Sequence, residues 1–298
     1  MRYTFQEFLT EYPTDEACLD RIMSMKFGNN QVCPGCGSET KFHRITKRRA
    51  YACQHCGHHI YPCVGTPFEK SRTPLQKWFF AMYLLTASKN GVSAKELERQ
   101  LGVTYKTAWR MAHELRKLMA NADDHNPLSG HVEVDETYVG GRRRGSRGRG
   151  ADGKTVVFGM AERGGIVRAA PVPNVKRKTL LPVITRNVQR GSIVSTDELK
   201  SYASLRKVGY RHGAVNHSAE EWSYYDYRLG AWHHTNTIEG YWSQLKRSIR
   251  GTHVHVSQKH LWKYVSEFSY RYNMRKADTA TVFRSLVSTL RLPHLAEN

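Results

Sequence analysis

Two closely spaced cysteine pairs constrain this chain more than any other feature of its sequence. Cys33 and Cys36 form one Cys-x-x-Cys motif, and Cys53 and Cys56 form a second. Each motif presents two thiolates at the separation that one tetrahedral zinc ion requires, so two motifs complete a four-sulfur site. The segment between them alternates like the strands of a hairpin. We therefore predict a zinc ribbon whose zinc is structural, because four cysteine ligands leave no open position for a substrate.

A redox function is the alternative for a Cys-x-x-Cys motif, but two copies separated by a short hairpin favour zinc. Cys18 and Cys63 lie outside the two motifs. We assign Cys18 to the core, and Cys63 lies too far along the chain from the second motif to be a standard ligand. The basic side chains of the hairpin are expected either to contact a polyanion or to be solvated.

The composition is strongly basic, because 46 lysines and arginines against 26 aspartates and glutamates give a formal net charge of +20. A field of this sign favours nucleic acid as the partner; a generically basic surface or anionic lipid is the alternative. No stretch approaches the ~20 apolar residues of a membrane span, and the N-terminal segment is acidic where a signal peptide is basic. We therefore expect a soluble, cytoplasmic protein that does not enter membranes.

Three helical segments follow the ribbon, at residues 74–88, 93–101 and 104–116. Ser93 and Glu96 form a capping box, Gly102 is a natural helix end, and Thr104 caps the next helix. A short helix, a turn with glycine and a basic helix predict a helix-turn-helix, whose second helix enters the DNA major groove. The candidate base readers are Tyr105, Lys106, Thr107 and Arg110.

The apolar side chains of these two helices are assigned to the core rather than to DNA contacts. They are Leu97, Leu101, Val103, Ala108, Trp109 and Met111. An ordinary helical hairpin without a DNA-binding role is the alternative, since the pattern is only moderately specific.

After a polar linker the apolar period changes from that of helices to that of strands. Strand patterns lie at residues 131–139, 155–163, 166–173 and 192–198, and a helical pattern lies at 178–188. This order predicts an α/β domain with a ribonuclease-H-like fold. Residues 140–150 form a cationic arm that we expect to order on a phosphate backbone, with a purely solubilising loop as the alternative. The arginines of this arm are Arg142, Arg143, Arg144, Arg147 and Arg149.

Metal-assisted phosphoryl transfer needs oxygen ligands that converge from different elements on two Mg²⁺ ions about 3.5–4 Å apart. Asp135 in the first strand and Asp197 at the end of the fourth satisfy this if the strands are neighbours. One face of a late helix carries Asn236, Glu239, Ser243 and Lys246. In this arrangement Glu239 would be a metal ligand and Lys246 a cation that binds a phosphate beside it. The alternative is that both are solvated charges on the helix surface.

Three segments resemble the IS1595-type (ISXO2-like) insertion-sequence transposases: VEVDETYVGGRRRGSRGRG, STDELKSY and HTNTIEGYWSQLKRSIRGTHVHVS. The ribbon and the helical region resemble the usual front half of that family, so the resemblance covers nearly the whole chain. It implies an acidic-triad transposase that uses Mg²⁺ or Mn²⁺ on double-stranded inverted terminal repeats. Its first two acids are Asp135 and Asp197, and its third ligand is Asn236 or Glu239, followed by Lys246. We place Glu239 first, because an ionised carboxylate binds Mg²⁺ more strongly than a neutral amide.

Other polar residues near these motifs are given supporting roles. Glu133 and Glu136 are assigned to the strand face opposite Asp135. The later histidines are interpreted as phosphate contacts; they are His233, His234, His253, His255 and His260. Further DNA-contacting cations are Arg247 and Arg250. The tyrosines near the motifs are assigned to packing or DNA contact, because none has the Arg-His surroundings of a covalent nucleophile; they are Tyr138, Tyr202 and Tyr241.

The predicted organisation has four parts. They are an N-terminal helical segment at 1–28, the zinc ribbon at 29–66, the helix-turn-helix region at 72–122 and the ribonuclease-H-like catalytic domain at 130–298. We predict a transposase that binds the terminal inverted repeats of an insertion sequence and catalyses DNA cleavage and strand transfer. A homo-dimer or higher oligomer on nucleoid DNA is expected, because two ends must be held. The alternatives are a non-catalytic DNA-binding regulator and a stand-alone ribonuclease-H-type nuclease.

Overall fold

A computed structural model describes residues 3–28, 32–122, 126–140 and 153–291. The chain divides into two compact units, the first formed by residues 1–122 and 277–298 and the second by residues 123–276. Within the described ranges no helix is both long enough and apolar enough to cross a bilayer. The five arginines of the predicted cationic arm lie outside the described residues.

The first unit contains five helices and the ribbon before the chain enters the second unit. These elements are α1 (Phe5–Glu11), α2 (Asp15–Phe27), β1 (Phe42–Arg44), β2 (Tyr51–Cys53), β3 (His59–Ile60), α3 (Leu75–Ala87), α4 (Ala94–Leu101) and α5 (Tyr105–Ala120). Strands β1, β2 and β3 pair antiparallel in that order, so the segment between the cysteine pairs is the predicted hairpin.

Helix α4 begins and ends where the sequence predicts, and α5 begins as predicted but continues to Ala120, four residues beyond the predicted end. The Ser93 hydroxyl accepts a hydrogen bond from the backbone N–H of Glu96 at 3.1 Å. Gly102 adopts the left-handed conformation that ends α4, with φ of 57°. Thr104 caps α5, since its hydroxyl accepts from the backbone N–H of Thr107. The two helices are therefore joined by the short turn at residues 102–104.

Most apolar side chains of α4 and α5 are buried, including Leu97, Leu101, Ala108 and Met111. The assignment of Trp109 to the core is wrong, because Trp109 is 36% exposed. Its ring stacks on His113 with 3.9 Å between centroids. The physical reason is the helical phase, because Trp109 lies four residues after the exposed Tyr105 and shares its side of α5.

The second unit is an α/β domain built on a mixed sheet. Its elements are β4 (His131–Val139), β5 (Thr155–Glu162), β6 (Val167–Val172), α6 (Arg177–Asn187), β7 (Ile193–Thr196), β8 (Arg211–Ala214), β9 (Tyr224–Asp226), β10 (Ala231–His233), α7 (Asn236–Ser248) and α8 (Leu261–Asn273). The sheet order is β6-β5-β4-β7-β8. The first three strands pair antiparallel, and β7 lies parallel to both β4 and β8. This is the predicted ribonuclease-H-like arrangement.

The two faces of the sheet bury different helices, because successive strand residues point to opposite sides. Val132 and Val134 pack with Leu180 of α6 on one face. Val157 packs with Ile238 of α7 on the other, where α8 also contributes. The odd-numbered positions of β4 therefore face α7, and this face carries the acidic residue that the sequence analysis singled out.

The last helix, α9 (Thr279–Ser288), belongs to the first unit. Its buried Phe283 stacks on Tyr3 at 5.3 Å and meets the edge of Tyr12 at 5.7 Å. The sequence-based boundaries placed residues 130–298 in one domain, whereas these aromatic contacts group α9 with the N-terminal helices. Residues 292–298 lie outside the described part of the chain.

Candidate functional site

Asp135 and Asp197 lie side by side on neighbouring strands. Glu133 of β4 is paired in parallel with Ser195 of β7. Asp135 lies two residues after Glu133, and Asp197 lies two residues after Ser195 and directly follows β7, so the two aspartates lie at one level of the sheet. Neighbouring strands are about 4.8 Å apart. Asp197 is also buried, with 5% of its surface exposed. The condition set by the sequence analysis, that the two strands be neighbours, is therefore met.

The electrostatic surroundings of Asp135 favour a cation. Burial, followed by the negative charges of Glu136 and Asp197, raises the pKa of the Asp135 carboxyl to about 7. Hydrogen bonds from the Glu136 backbone and Trp242 act in the opposite direction. A carboxyl whose charge is opposed by burial and by two neighbouring carboxylates is stabilised in its ionised form when a cation binds between them.

Trp242 and Gly159 support Asp135, and sequence reasoning did not identify either. The indole Nε1 of Trp242 in α7 donates to Asp135 Oδ2 at 2.9 Å. Gly159 is the β5 residue paired with Asp135, and a Cβ at Gly159 would lie 2.5 Å from the Trp242 ring. A glycine inside a strand pattern often marks such a close approach, and this was the available signal.

We expect Gly159→Ala to destabilise the domain by about 1–3 kcal/mol, because the added methyl group displaces the buried Trp242 ring. Urea unfolding of the whole protein measures the change. Gly240→Ala in α7 is the matched control, since no atom lies within 4 Å of the Cβ it would add. Alanine is favoured over glycine in a helix, so this control is expected to be neutral or stabilising. Equal stability of the two variants would contradict the packing described.

Glu133 shares the face of Asp135, so its assignment to the opposite face is wrong. Residues two apart in a strand point to the same side. The fully buried Glu133 carboxylate accepts hydrogen bonds from the backbone N–H groups of Thr237 and Ile238 at 2.7 and 3.1 Å. It also accepts from Arg163 Nε at 2.7 Å. Glu133 thus fixes the N-terminus of α7 to β4, where a negative charge also complements the helix dipole.

Glu136 lies on the opposite face, as predicted. Its carboxylate accepts a hydrogen bond from the buried hydroxyl of Tyr202 at 2.8 Å. Tyr241 is also buried, and its hydroxyl lies 2.9 Å from the Ser269 hydroxyl. Tyr202 and Tyr241 are therefore packing residues, as the sequence analysis allowed.

Glu239 lies in the first turn of α7, and its side chain is about half exposed. Its carboxylate accepts from the Thr235 hydroxyl at 2.6 Å and lies 3.7 Å from His217 Nε2. The backbone N–H of His217 in turn donates to Glu198, the residue after Asp197. Glu239 is thus linked to the end of β7. Among the described residues, however, the three predicted acidic side chains do not gather within 4.8 Å of one another.

The phase of α7 separates Glu239 and Lys246 from Asn236. With 3.6 residues per turn, Glu239 and Lys246 lie within about 60° of Trp242 around the helix axis, whereas Asn236 lies about 120° away. Lys246 is close enough to Asp135 for that charge to raise its pKa, although burial and Arg250 lower the pKa more strongly. By helix phase, Glu239 and Lys246 therefore lie nearer to the Trp242 side of α7 than Asn236 does, although Glu239 and Asn236 are both exposed.

Two of the predicted phosphate-binding histidines have other contacts. His233 is fully buried, and its Nδ1 lies 2.8 Å from the Ser195 hydroxyl. His234 Nδ1 lies 3.0 Å from the Glu133 carboxylate. Phosphate contact is wrong for His233, because β10 packs it against the sheet, whereas for the partly exposed His234 phosphate contact stays a prediction. The exposed His255 instead lines a cleft of about 80 Å³ together with Lys246 and Arg250.

The candidate base readers lie on the first two turns of α5. Tyr105, Lys106 and Arg110 are exposed, and Thr107 is half-buried with its hydroxyl 3.0 Å from that of Thr104. Arg110 also lies over the Trp78 ring at 5.2 Å. Arg247 of α7 and Arg250, two residues after the end of that helix, are exposed as well. These side chains are accessible to a ligand.

The four cysteines of the ribbon match one zinc ion. Cys33 and Cys56 have their sulfurs 3.6 Å apart, and the sulfurs of Cys36 and Cys53 are 3.9 Å apart. A tetrahedron with Zn–S bonds of about 2.3 Å requires about 3.8 Å between sulfurs. All four sulfurs lie within 4.8 Å of one another. The ligand set is therefore a structural zinc site, as predicted.

The remaining cysteines are core residues. Burial raises the pKa of Cys18 to about 12 and that of Cys63 to about 11, which keeps both thiols protonated.

In the ribbon, burial opposes the ionisation of Cys53, but the backbone N–H groups of Cys56 and His55 lower its pKa to about 6. Thiolates are the form that binds zinc.

Comparisons with known proteins agree with this architecture. Residues 127–273 match the ISXO2-like transposase domain, and residues 13–59 match the transposase zinc-ribbon domain. An uncharacterized protein in transposable element ISH50 of Halobacterium salinarum is 26% identical over 299 residues, covering 93% of this chain and 97% of that protein. An uncharacterized transposase-like protein of Haemophilus influenzae is 32% identical over 102 residues, covering 34% of this chain and 76% of that protein.

Two solved structures are distant matches. The crystal structure of the Mos1 strand transfer complex shares 12% identity and a TM-score of 0.23, covering 68% of this chain and 77% of that one. The pre-cleavage Mos1 transpososome shares 13% identity and a TM-score of 0.27, covering 74% and 80%. Both TM-scores are low, so the fold assignment rests on the strand order and the family matches. Through its transposase domain and its zinc ribbon, the chain belongs to the IS1595, or ISXO2-like, family of transposases.

Proposed function

We propose that this transposase binds the terminal inverted repeats of its insertion sequence and catalyses metal-dependent DNA cleavage and strand transfer. The observation that carries the proposal is the placement of Asp135 and Asp197 at one level of neighbouring strands. Lys246 of α7 is close enough to Asp135 to interact with its charge, and Glu239 precedes it by about two turns of the same helix. Three acidic side chains from separate elements, with a cation beside them, form the ligand pattern that phosphoryl transfer uses.

The donor set fits Mg²⁺ or Mn²⁺, because both prefer carboxylate oxygens and Mg²⁺ in particular keeps several water ligands. Asp135, Asp197 and Glu239 would hold the ions. A distance above 4.8 Å between some of these carboxylates is compatible with a pair of ions about 3.5–4 Å apart. When bound, the metal lowers the pKa of a coordinated water and stabilises charge on the leaving oxygen.

The chain's own residues position the reaction. Trp242 holds Asp135 through its indole hydrogen bond, and Glu133 holds the end of α7 from which Glu239 projects. Lys246 and Arg250 are placed to bind a phosphate of the scissile strand. The exposed face of α5 is placed to read the terminal repeat, and residues 140–150 are expected to contact the DNA backbone. Because two ends must be held together, we propose a dimer or higher oligomer on DNA.

We expect Glu239→Gln to lose cleavage activity by about a hundred-fold or more, the order seen when a group that stabilises charge is removed. Asn236→Ala, three residues before Glu239 on the same helix, is expected to retain activity because Asn236 lies about 120° around the helix axis from Trp242. Initial nicking rates on one DNA duplex at saturating Mg²⁺ measure both. An inactive Asn236→Ala beside an active Glu239→Gln would assign the third ligand to Asn236.

Metal binding is expected to strengthen as pH rises through about 7, because the raised pKa keeps Asp135 protonated at lower pH. The proton must leave before the carboxylate binds a cation, so affinity is lost on the acidic side. Calorimetric titration of the DNA-free protein with Mn²⁺ between about pH 6 and 8 measures this, with proton release as a second readout. Asp135→Asn is the control, and a pH dependence that persists in it would contradict the assignment.

End-specific nicking separates this proposal from its alternatives. The purified protein is incubated in Mg²⁺ with a duplex taken from the DNA that flanks its gene, and with a shuffled duplex of equal composition. A transposase binds and nicks the flanking duplex in preference. A regulator binds that duplex and nicks neither, whereas a stand-alone nuclease nicks both at similar rates. Either of the last two results would overturn the proposed function.

A further inference from the structure

The β9–β10 hairpin presents a cluster of large aromatic rings to solvent. Tyr225, Tyr227 and Trp232 are 37%, 89% and 56% exposed. Tyr225 and Trp232 are directly opposite on the two strands, with 5.5 Å between ring centroids. Tyr227 meets the edge of Tyr225 at 5.0 Å. We call these three residues the aromatic face.

The opposite side of the hairpin is firmly anchored, so the aromatic face is not the result of a loosely packed loop. His233 is fully buried, stacks on Tyr224 at 5.1 Å and bonds to Ser195. Gly213 of β8 permits this packing, because a Cβ there would lie 2.5 Å from the His233 ring. The turn is held by Asp226, whose carboxylate accepts from the backbone N–H groups of residues 228 and 229.

The hairpin is tied to the carboxylate centre by Arg163. One guanidinium nitrogen of Arg163 donates to the Trp232 carbonyl at 2.6 Å, while its Nε donates to Glu133 at 2.7 Å. Glu133 lies two residues before Asp135 on the same strand face. From β10 the chain runs directly into α7, which carries Glu239. The aromatic face is thus built on the same elements that position the acidic residues.

We propose that the aromatic face binds unpaired nucleotides at the transposon end by stacking on their bases. This inference rests on the proposed function and deepens it by naming the form of DNA that this surface takes. Flat exposed rings stack on any base with a free face, whereas the bases inside a duplex are covered by their neighbours.

The charge on the hairpin agrees with a nucleic-acid occupant. Arg228 is exposed beside Tyr227, where it is placed to meet a phosphate. Asp226, the last residue of β9, lies opposite Ala231 of β10. Its carboxylate accepts a hydrogen bond from the backbone N–H of Arg228. The net charge of +20 attracts DNA to the whole protein. The aromatic rings add a contact that depends on base accessibility instead of charge.

The test compares two DNA duplexes taken from the sequence flanking the gene, one fully paired and one with three unpaired bases at the end. Affinities for the full-length protein are measured in Ca²⁺ by fluorescence anisotropy. We expect Trp232→Ala to weaken binding of the unpaired end by about ten-fold or more and to leave the paired duplex unchanged. Trp232→Phe is expected to recover most of the loss, because it restores a ring. Tyr227→Ala, at the most exposed position, tests the same surface with the least risk to folding.

Tyr61→Ala is the matched control, since Tyr61 is 49% exposed and lies in the other compact unit. Equal affinities of wild type, Trp232→Ala and Tyr227→Ala for the unpaired end would overturn the stacking proposal while leaving the proposed function intact. Wild-type protein that distinguishes neither duplex from shuffled DNA would instead count against the proposed function. A further outcome is a variant that sediments as a monomer where the wild type is an oligomer, and that still binds unpaired DNA with unchanged affinity. This result would show that the aromatic face contacts a second copy of the chain, and it would overturn the proposal.

Discussion

Replacing Asp135 with asparagine is expected to abolish DNA cleavage and joining while DNA binding remains. The substitution keeps the size of the side chain and an oxygen for the Trp242 hydrogen bond, but it removes the charge that a cation requires. Loss of a single group that stabilises transition-state charge lowers the rate by a factor on the order of 10²–10³. We expect the loss of a metal ligand to lower the rate by at least the larger of these factors. Single-turnover nicking of a radiolabelled end duplex measures the effect.

Asp197→Asn is expected to give the same result, because the two carboxylates occupy one level of neighbouring strands. Asp278→Asn provides the control. Asp278 caps α9 in the first unit, and asparagine is an equally good helix cap, so folding and activity should be retained. Cleavage by Asp135→Asn or Asp197→Asn at more than about a tenth of the wild-type rate would contradict a shared metal site.

Replacing Cys53 with serine is expected to release zinc and unfold the ribbon. Binding of structural zinc contributes about 10–16 kcal/mol in small zinc modules, and β1, β2 and β3 together supply few residues to a core. The hairpin therefore depends on the metal for its stability. Zinc content, measured by mass spectrometry of the purified protein, should fall from one ion per chain to nearly none, and limited proteolysis should cut the ribbon first.

Cys63→Ala is the control for this experiment, since Cys63 is a buried cysteine outside the sulfur cluster. It is expected to retain one zinc ion and to lose only packing energy. Retention of a full zinc ion by Cys53→Ser would show that the sulfur tetrahedron is not the metal site. Loss of zinc from Cys63→Ala would show that the ligand set extends beyond the two motifs.

The features that the sequence predicted are those with a short-range cause. The zinc ligands follow from the spacing of the two Cys-x-x-Cys motifs, and both ends of α4 and the start of α5 follow from Ser93, Gly102 and Thr104. Apolar patterns located four of the described strands of the sheet, β4 to β7, but not β8, and the order of those four suggested that Asp135 lies near Asp197. Each of these inferences needs only neighbouring residues and one rule of chain geometry.

The features that it missed depend on contacts between distant parts of the chain. Trp242 reaches Asp135 across more than a hundred residues of sequence, and the space for its ring is left by Gly159 on a third element. His233 was predicted to contact a phosphate, but it is buried against the sheet and lies within hydrogen-bond distance of Ser195. Trp109 was misassigned because hydrophobicity alone does not give the phase of a helix.

Glu133 is a different case, because strand parity alone was sufficient to place it. Residues at i and i+2 share a face, so Glu133 had to point to the same side as Asp135. What parity does not give is the partner, the N-terminus of α7, since this requires knowing how the helix crosses the sheet. This contact connects β4 to the helix that carries Glu239.

The joining of a pre-cut end to target DNA is the most direct test of the proposed strand-transfer activity. The protein is mixed in Mg²⁺ with a supercoiled plasmid and a duplex whose terminal-repeat strand ends in a 3′-hydroxyl, or in a 3′-deoxy end as the control. Our account predicts plasmid joined to the hydroxyl end alone, and no joining by Asp135→Asn. Stable binding of the end without any joined product, in Mg²⁺ or Mn²⁺, would contradict it.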